Sequence, residues 1–327
     1  MKPRIPLCLA LLAGTTLAAH AASITPGVIE RPEGKRLYLL AQPPQRPQGK
    51  LPLVIVLHGH AGSANMVFGR GGIGDPAAGW LDVADREQIL VIAPDGWKGS
   101  DDKRGWNDCR ADAATNPPTD DVGLIGALID KAIADYDADP ARVYIFGMSN
   151  GGGMVYRAAI ELAPRLAAAA ALSAPMPAQS RCPAPTHPVP MLITHGTDDK
   201  IVPYAGGKVG SWMLRDRGTV LGVEDAVKLW RDVDGLAAAP AVTELPHRAA
   251  SDRSTATRYV WGDDPSRMQV EFLKIEHGGH AQPSITHRLA WIWTTLLGAQ
   301  NGDVELTDEA WSFFKNKRLA APPPAAR

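Results

Sequence analysis

Residues 143–152 read Val-Tyr-Ile-Phe-Gly-Met-Ser-Asn-Gly-Gly, an apolar run followed by a small serine motif with a glycine on each side. The run Val143–Phe146 predicts a strand buried on both faces, and the glycine-rich segment after the motif predicts a helix over Gly152–Ala163. In a G-x-S-x-G turn between a strand and a helix, the glycines keep side chains out of the bend and the serine hydroxyl projects from the sheet. The motif therefore predicts a nucleophile at Ser149.

Other apolar runs recur along the chain and predict further strands, which are Leu53–Leu57, Ile89–Ala93, Leu166–Leu172, Met191–Thr194 and Gln269–Ile275. The run Leu166–Leu172 is rich in alanine, which also suits a helix. Between these runs, apolar residues recur at the spacing typical of a helix. One predicted helix is capped by Asp121, and another covers Glu224–Val233. Strands that alternate with helices of this length predict an α/β fold with a mostly parallel sheet.

The charge balance of the chain argues against some classes of function, and the lack of a repeat or linker bears on its domain organisation. The 327 residues carry 34 basic and 35 acidic side chains, with no block of one sign. This balance argues against a nucleic-acid partner and against electrostatic binding to a membrane. Neither an internal repeat nor a linker rich in Pro, Ser or Thr is present, so we expect a single catalytic domain over residues 22–317 and a disordered tail over 318–327.

Residues 1–21 have the pattern of a signal peptide. Lys2 and Arg4 precede an apolar run, Ile5–Leu12, that is too short to span a bilayer, and Ala19-His20-Ala21 supplies small residues at a cleavage site. A buried N-terminal helix is the alternative. The pattern predicts a secreted or periplasmic protein after cleavage near Ala21.

Cleavage there would leave two cysteines, Cys109 and Cys182. In an oxidising compartment such a pair predicts a disulfide. Two cysteines alone do not build a structural zinc site, and we expect no metal and no cofactor.

A serine hydrolase stabilises the oxyanion of its tetrahedral intermediate with fixed N–H donors. The residue after the nucleophile usually gives one, which predicts the backbone N–H of Asn150. The loop His58–Ser63 follows the strand Leu53–Leu57, and we expect the second donor to be the backbone N–H of His60, with Gly59 allowing the chain to turn. For the side chains of His58 and His60 we expect structural hydrogen bonds rather than proton transfer.

The acid and the base are expected at two further strand ends. The segment His195–Asp199 follows the strand Met191–Thr194, and we assign Asp199 as the acid, with Asp198 as the alternative. The base should follow the acid in the chain if the order is Ser, Asp, His. The later histidines are His247, His277, His280 and His287. Two glycines precede His280 in a loop after the strand Gln269–Ile275, so His280 is the first choice and His277 the second.

The polar insert Trp97–Asp120 is longer than an ordinary connection, and such loops are usually functional or disordered. We expect it beside the substrate pocket. Its tryptophans, Trp97 and Trp106, either line a substrate subsite or pack the insert against the sheet; we assign both to substrate binding as a hypothesis.

Several segments together resemble one family of secreted esterases, the polyhydroxybutyrate depolymerase-like enzymes, which are related to the feruloyl esterases of carbohydrate esterase family 1. The segments that carry the resemblance are Val143–Gly152, His195–Gly207, Gly278–His280, Pro94–Gly96, Trp106–Asp108, Asp120–Gly123 and Gly298–Phe314. The resemblance implies an α/β-hydrolase fold, Ser149 as nucleophile, Asp199 as acid, His280 as base, and no metal.

Two departures from this family matter: the further cysteines that many relatives carry in the C-terminal third are absent, and the residues after the base differ. Many relatives follow the histidine with Trp-Pro, whereas Ala281-Gln282-Pro283 follows His280 here, which predicts a different pocket wall. We expect hydrolysis of short or oligomeric esters, first of 3-hydroxybutyrate oligomers. The alternatives are a feruloyl or acetylxylan esterase and, third, a serine peptidase of the same fold.

Overall fold

The computed structural model describes residues 22–44, 48–71, 75–210, 217–248 and 252–320. The predicted signal peptide over residues 1–21 lies outside the described residues, as do residues 321–327 of the predicted tail. Among the described residues, every helix is too short or too polar to cross a bilayer.

Fourteen strands lie in the described part of the chain: β1 (Ser23–Arg31), β2 (Gly34–Gln42), β3 (Leu51–Leu57), β4 (Leu90–Pro94), β5 (Trp97–Lys98), β6 (Arg104–Gly105), β7 (Ala138–Met148), β8 (Ala168–Leu172), β9 (Met191–Gly196), β10 (Gly207–Lys208), β11 (Thr219–Val220), β12 (Ala241–Glu244), β13 (Thr255–Trp261) and β14 (Val270–Glu276). The helices of the same residues are α1 (Ala64–Val67), α2 (Gly79–Glu87), α3 (Asp121–Asp135), α4 (Asn150–Glu161), α5 (Val223–Val233), α6 (Trp291–Leu297) and α7 (Leu306–Phe314). Short 3₁₀ turns occupy Pro76–Ala78 and Ala163–Arg165.

Ten of these strands form one sheet, in the order β1-β2-β4-β3-β7-β8-β9-β14-β13-β12. The six central strands of this order, β4-β3-β7-β8-β9-β14, are parallel to one another. The strands at both edges of the sheet pair antiparallel. This confirms the predicted α/β class with a mostly parallel sheet. Because the carboxyl ends of parallel strands meet at one edge, the loops after β3, β7, β9 and β14 lie next to one another.

All of the predicted strands belong to this sheet. The alanine-rich run Leu166–Leu172, for which a helix was the alternative, contains β8, and β8 is fully buried between β7 and β9. Its burial explains why alanine is used there: small side chains on a central strand let the helices pack close to the sheet.

Helices cover both faces of the sheet. Side chains alternate along β3, so that Leu53, Ile55 and Leu57 join the core under α3, α4 and α5, whereas Val54 and Val56 join the core under α2 and α7. This two-sided burial is the physical reason for the continuous apolar runs in the sequence.

The start of α3 differs from the sequence-based expectation. Asp120, not Asp121, is the cap, because its carboxylate accepts a hydrogen bond of 2.8 Å from the backbone N–H of Gly123. Asp121 is buried instead and forms a 2.9 Å ion pair with Arg36.

The predicted disulfide is present between Cys109 and Cys182, whose Cα atoms lie 5.4 Å apart. It joins the insert Trp97–Asp120 to the loop after β8. Closing a loop of 73 residues stabilises the fold by about 4 kcal/mol in the chain-entropy account.

The ordered domain reaches further than the predicted boundary at residue 317. The guanidinium of Arg318 lies 2.9 Å from the carboxylate of Asp139, and the backbone N–H of Leu319 donates to the carbonyl of Ala141 at 2.9 Å. These contacts fix residues 318 and 319 on the start of β7, so the prediction that the tail begins at residue 318 was wrong.

Candidate active site

Ser149 lies at the turn between β7 and α4, as the motif predicts. Its backbone has a positive φ of 54° with ψ of −125°, which is strained for a residue that has a Cβ atom. The turn packs tightly against the end of β3: a Cβ atom at Gly151 would lie 2.4 Å from the carbonyl oxygen of Leu57. Strained backbone of this kind is a feature of functional sites, and here it presents the Ser149 side chain at the edge of the sheet.

Asp199 and His280 are brought together from the loops after β9 and β14. Nδ1 of His280 lies 2.7 Å from Oδ2 of Asp199, and both side chains are almost fully buried. The other carboxylate oxygen of Asp199 accepts hydrogen bonds of 2.8 Å and 2.9 Å from the backbone N–H groups of Ile201 and Val202. The carboxylate therefore has fixed donors on both oxygens and holds the imidazole in one orientation.

Burial by itself would raise the pKa of Asp199, but the charge of His280 and hydrogen bonds from His195 and His280 outweigh it. The net effect holds the pKa of this carboxyl well below its usual range. Asp199 is therefore ionised at neutral pH.

The second-choice residues also pair, but with each other and at the surface. Nδ1 of His277 lies 3.5 Å from Oδ2 of Asp198, and both side chains are more than half exposed. The remaining candidate bases pair elsewhere, His247 with Asp303 and His287 with Asp82.

The loop that carries His280 is held by the end of α6. The backbone N–H of His280 donates to the carbonyl of Leu297 at 2.6 Å, and that of Gly279 donates to Ala299 at 2.8 Å. A Cβ atom at Gly279 would lie 2.3 Å from the Leu297 carbonyl oxygen. Glycine is thus required at residue 279 because a side chain there would collide with the end of α6.

The loop after β3 is fixed by the His58 ring. Its Nε2 accepts a hydrogen bond of 2.9 Å from the backbone N–H of Gly96, so the ring proton is on Nδ1, which donates to the carbonyl of Gly59 at 2.7 Å. Burial lowers the pKa of His58 to about 4, which keeps the ring neutral. His58 thus has the structural role expected of it.

Gly59 approaches the serine closely without a left-handed backbone, so a requirement for unusual turn geometry does not explain it. A Cβ atom there would lie 3.4 Å from Cβ of Ser149. The adjacent His60 ring contacts the carboxylate of Asp101 through Nε2 at 3.0 Å, and burial lowers the pKa of His60 to about 4.

The side chain of Asn150 is a positioning group that the sequence reasoning missed. Its Oδ1 accepts from the backbone N–H of Trp106 at 2.7 Å, and its Nδ2 donates to the Trp106 carbonyl at 3.0 Å and to Asp108 at 2.7 Å. Asp108 in turn pairs with the buried Arg110 at 2.6 Å. The insert Trp97–Asp120 is thereby fastened to the residue next to Ser149, and a polar residue directly after the motif serine was the available signal.

The expected substrate-binding tryptophans do not reach the cavity at Ser149. Trp106 is completely buried, donates its indole N–H to the carbonyl of His58 at 2.8 Å, and packs against the His58 ring. Trp97 is half-buried under the guanidinium of Arg36, beside a different depression of the surface. Both tryptophans therefore pack the insert, which was the alternative role given for them from the sequence. Their assignment to substrate binding is corrected accordingly.

Ser149 and His280 open into one cavity of about 400 Å³. Its other walls are mainly apolar and consist of Met66, Pro76, Met148, Ala281, Leu289, Trp293 and Leu297, with Gly59, Ala61, Gly62, His58, His60, Asp75 and Gln282 completing the lining. The apolar residues at 289, 293 and 297 are four apart, a helical spacing from which this wall could have been found.

Among the described residues, one group of side chains lies close enough together to be tested as a metal site. The one group of potential ligands that lie close together there is Cys109, Cys182 and Glu161. Both cysteines are joined in the disulfide, whereas a metal requires free thiolates.

Comparison with known proteins identifies the chain's relatives. Residues 46–224, more than half of the 327, match the phospholipase/carboxylesterase family. The chain belongs to this family. Membership of this family implies the hydrolysis of carboxylic esters by an α/β-hydrolase. The predicted fold and the predicted esterase class are therefore confirmed.

Among the curated relatives are two named esterases and one named depolymerase. The chain is 26% identical over 293 residues to "Putative esterase NocK" of Nocardia uniformis subsp. tsuyamanensis, covering 88% of this chain and 80% of that protein. It is 29% identical to the poly(3-hydroxybutyrate) depolymerase of Ralstonia pickettii, covering 85% of this chain and 60% of the relative. It is also 29% identical to feruloyl esterase B of Piromyces equi, covering 71% of this chain and 40% of the relative. The chain thus spans less than two thirds of the last two proteins.

Among solved structures, the acetyl xylan esterase from Aspergillus awamori superposes with a TM-score of 0.52 at 16% identity. The match covers 77% of this chain and 94% of that enzyme. At this identity the likeness supports the fold alone.

Proposed function

We propose that the chain is a serine esterase in which Ser149 is the nucleophile, His280 the general base and Asp199 the group that orients the base. Nε2 of His280 takes the hydroxyl proton as Ser149 Oγ attacks the ester carbonyl carbon. The imidazolium then protonates the leaving alcohol, and the same ring activates water against the acyl-enzyme. Asp199 offsets the positive charge of the ring in both steps.

The main support for this proposal is the position of three side chains around one cavity. A serine on strained backbone and a histidine whose Nδ1 is 2.7 Å from a buried carboxylate line the same cavity. Nucleophile, base and orienting acid in one site are the arrangement that acyl transfer requires.

The backbone N–H groups of His60 and Asn150 are the proposed oxyanion donors. Asn150 begins α4, and the first N–H groups of a helix have no acceptor within the helix, so its amide is available to a ligand. His60 follows Gly59, which lies against Ser149. Both amides are held by buried groups, the Asn150 side chain through the insert and the His58 ring through Gly59.

The cavity favours an aliphatic acyl group as the natural substrate. Four leucine and methionine side chains line it beside one tryptophan, Trp293, whereas Trp97 and Trp106 lie elsewhere. Trp293 and Leu297 of α6 line the cavity, and the outer side of the same helix is exposed and apolar, with Trp291 75% exposed. A chain longer than the cavity has an apolar surface to lie on, which supports oligomers of 3-hydroxybutyrate over small acetyl esters.

We expect kcat/KM to be at least tenfold higher for a 3-hydroxybutyrate trimer than for methyl ferulate, because the leucine and methionine side chains of the cavity and the exposed apolar side of α6 suit a flexible aliphatic chain. The measurement is steady-state hydrolysis of both esters, with acetylated xylan and a peptide p-nitroanilide assayed beside them. Preference for methyl ferulate or acetylated xylan would move the function to a plant cell-wall esterase. Efficient cleavage of the anilide with poor ester hydrolysis would move it to a peptidase.

We place the protein outside the cytoplasm, either secreted or periplasmic, after cleavage near Ala21. The Cys109–Cys182 disulfide supports this location, because disulfides persist in oxidising compartments and are rare in the cytosol. The mature N-terminus of exported protein, read by mass spectrometry, tests it.

A further inference from the structure

Gln282 lies two residues after His280 and lines the cavity at Ser149. The residue is only 1% exposed. Its backbone carbonyl accepts a hydrogen bond of 2.9 Å from the side chain of Gln300, which holds this part of the wall in place. It occupies the point at which the sequence departs from Trp-Pro after the base.

Among the described residues that line this cavity, Gln282 is the one whose two polar side-chain atoms are both buried without a hydrogen-bond partner, whereas His60 lacks a partner at Nδ1 but contacts Asp101 through Nε2. Nδ1 and Nε2 of His58 both have partners, and a carboxylate oxygen of Asp75 accepts from the backbone N–H of Ala77 at 2.9 Å. For Gln282, neither Nε2 nor Oε1 has a hydrogen-bond partner within the described chain.

A buried amide without partners costs free energy, and the great majority of buried polar groups in folded proteins are paired. An apolar side chain of the same length would complete the surrounding wall, which is made of methionine, leucine and alanine, without this cost. An amide that is buried, unpaired and part of the wall beside a nucleophile therefore points to a partner on the substrate.

The chemistry of the amide restricts that partner. Nε2 donates and Oε1 accepts, so an ester carbonyl alone satisfies only half of the group. A hydroxyl both accepts and donates. Hydroxyacyl esters carry a hydroxyl within a few bonds of the reacting carbonyl, and the cavity of about 400 Å³ holds an acyl group of that size.

We infer that Gln282 is a specificity-determining residue, whose amide binds a hydroxyl on the acyl part of the substrate and so selects hydroxyacyl esters over plain acyl esters. The inference rests on the proposed function, because it requires that Ser149 attacks an ester bound in this cavity. Two kinds of acyl group share the chemistry, an aliphatic 3-hydroxyacyl chain and a hydroxylated aromatic acid.

The test uses two pairs of esters that differ by one hydroxyl. The aliphatic pair is ethyl 3-hydroxybutyrate, each enantiomer separately, against ethyl butyrate; the aromatic pair is methyl 4-hydroxycinnamate against methyl cinnamate. In at least one pair we expect the wild-type protein to have a kcat/KM about tenfold higher for the hydroxylated ester. Gln282→Met keeps the length of the side chain and removes the amide, so it should bring that ratio to about one. The pair that responds identifies the acyl class.

Two comparisons separate specificity from folding. Gln179→Met makes the same change on the surface and should leave the ratio as in the wild type. Circular dichroism and the unfolding temperature of Gln282→Met show whether that variant is folded. If Gln282→Met fails to fold, Gln282→Leu replaces it. Wild-type ratios near one in both pairs, or a ratio that Gln282 variants leave unchanged, would overturn the inference alone. Failure of the wild type to hydrolyse any of these esters would overturn the proposed function and this inference with it.

Discussion

Ser149→Ala is expected to lower kcat for ester hydrolysis by at least a thousandfold while the unfolding temperature stays within a few degrees of the wild type. The substitution removes only the hydroxyl group, and the turn that carries residue 149 is fixed by backbone contacts to β3. His280→Ala should have a comparable effect, because without the base the serine is a poor nucleophile at neutral pH. Steady-state kinetics with p-nitrophenyl acetate measure both.

The double variant provides a sharper test than either single change. Residues that act as one unit are strongly non-additive, so Ser149→Ala with His280→Ala should be little worse than Ser149→Ala. Ser173→Ala is the matched control, since this serine follows β8, is buried, and its hydroxyl has no partner among the described residues. Near wild-type activity in Ser149→Ala, or equal losses in Ser149→Ala and Ser173→Ala, would remove Ser149 from its assigned role.

Asp199→Asn is expected to lower kcat by about a thousandfold or more, whereas Asp198→Asn should stay within threefold of the wild type. The asparagine has nearly the same shape, but its neutral amide neither offsets the imidazolium charge nor fixes the ring proton on Nδ1. Asp198 contacts only the exposed His277 among the candidate bases, and this pair is open to solvent. Kinetics of the two variants, made identically, decide between the neighbouring carboxylates. A larger loss in Asp198→Asn would move the acid by one residue.

The sheet and the location of the candidate site could be predicted from the sequence, because both depend on strong local signals. Buried parallel strands give continuous apolar runs, and polar or glycine-rich segments directly follow β3, β7, β9 and β14. The choice of His280 over His277 also followed from local sequence, and the structure brings His280, not His277, to the cavity with Ser149.

The residues around the site could not be predicted so well, because their roles depend on which way a side chain turns. Trp106 stands in a polar insert, but its indole turns inward to the His58 carbonyl. Asn150 was read for its backbone N–H alone, although its side chain anchors the insert. Gln282 lines a cavity to which Met66 contributes from a distant part of the sequence.

Covalent labelling tests the central claim, that Ser149 is the nucleophile of an esterase, most directly. The protein is treated with a fluorophosphonate, which reacts with activated serine hydroxyls, and the adduct is mapped by peptide mass spectrometry while p-nitrophenyl acetate hydrolysis is followed. We expect one adduct per chain, on the peptide that contains Ser149, with activity lost in proportion and with no labelling of Ser149→Ala. Complete inactivation with the adduct on a different residue, or full activity after Ser149 is labelled, would contradict it.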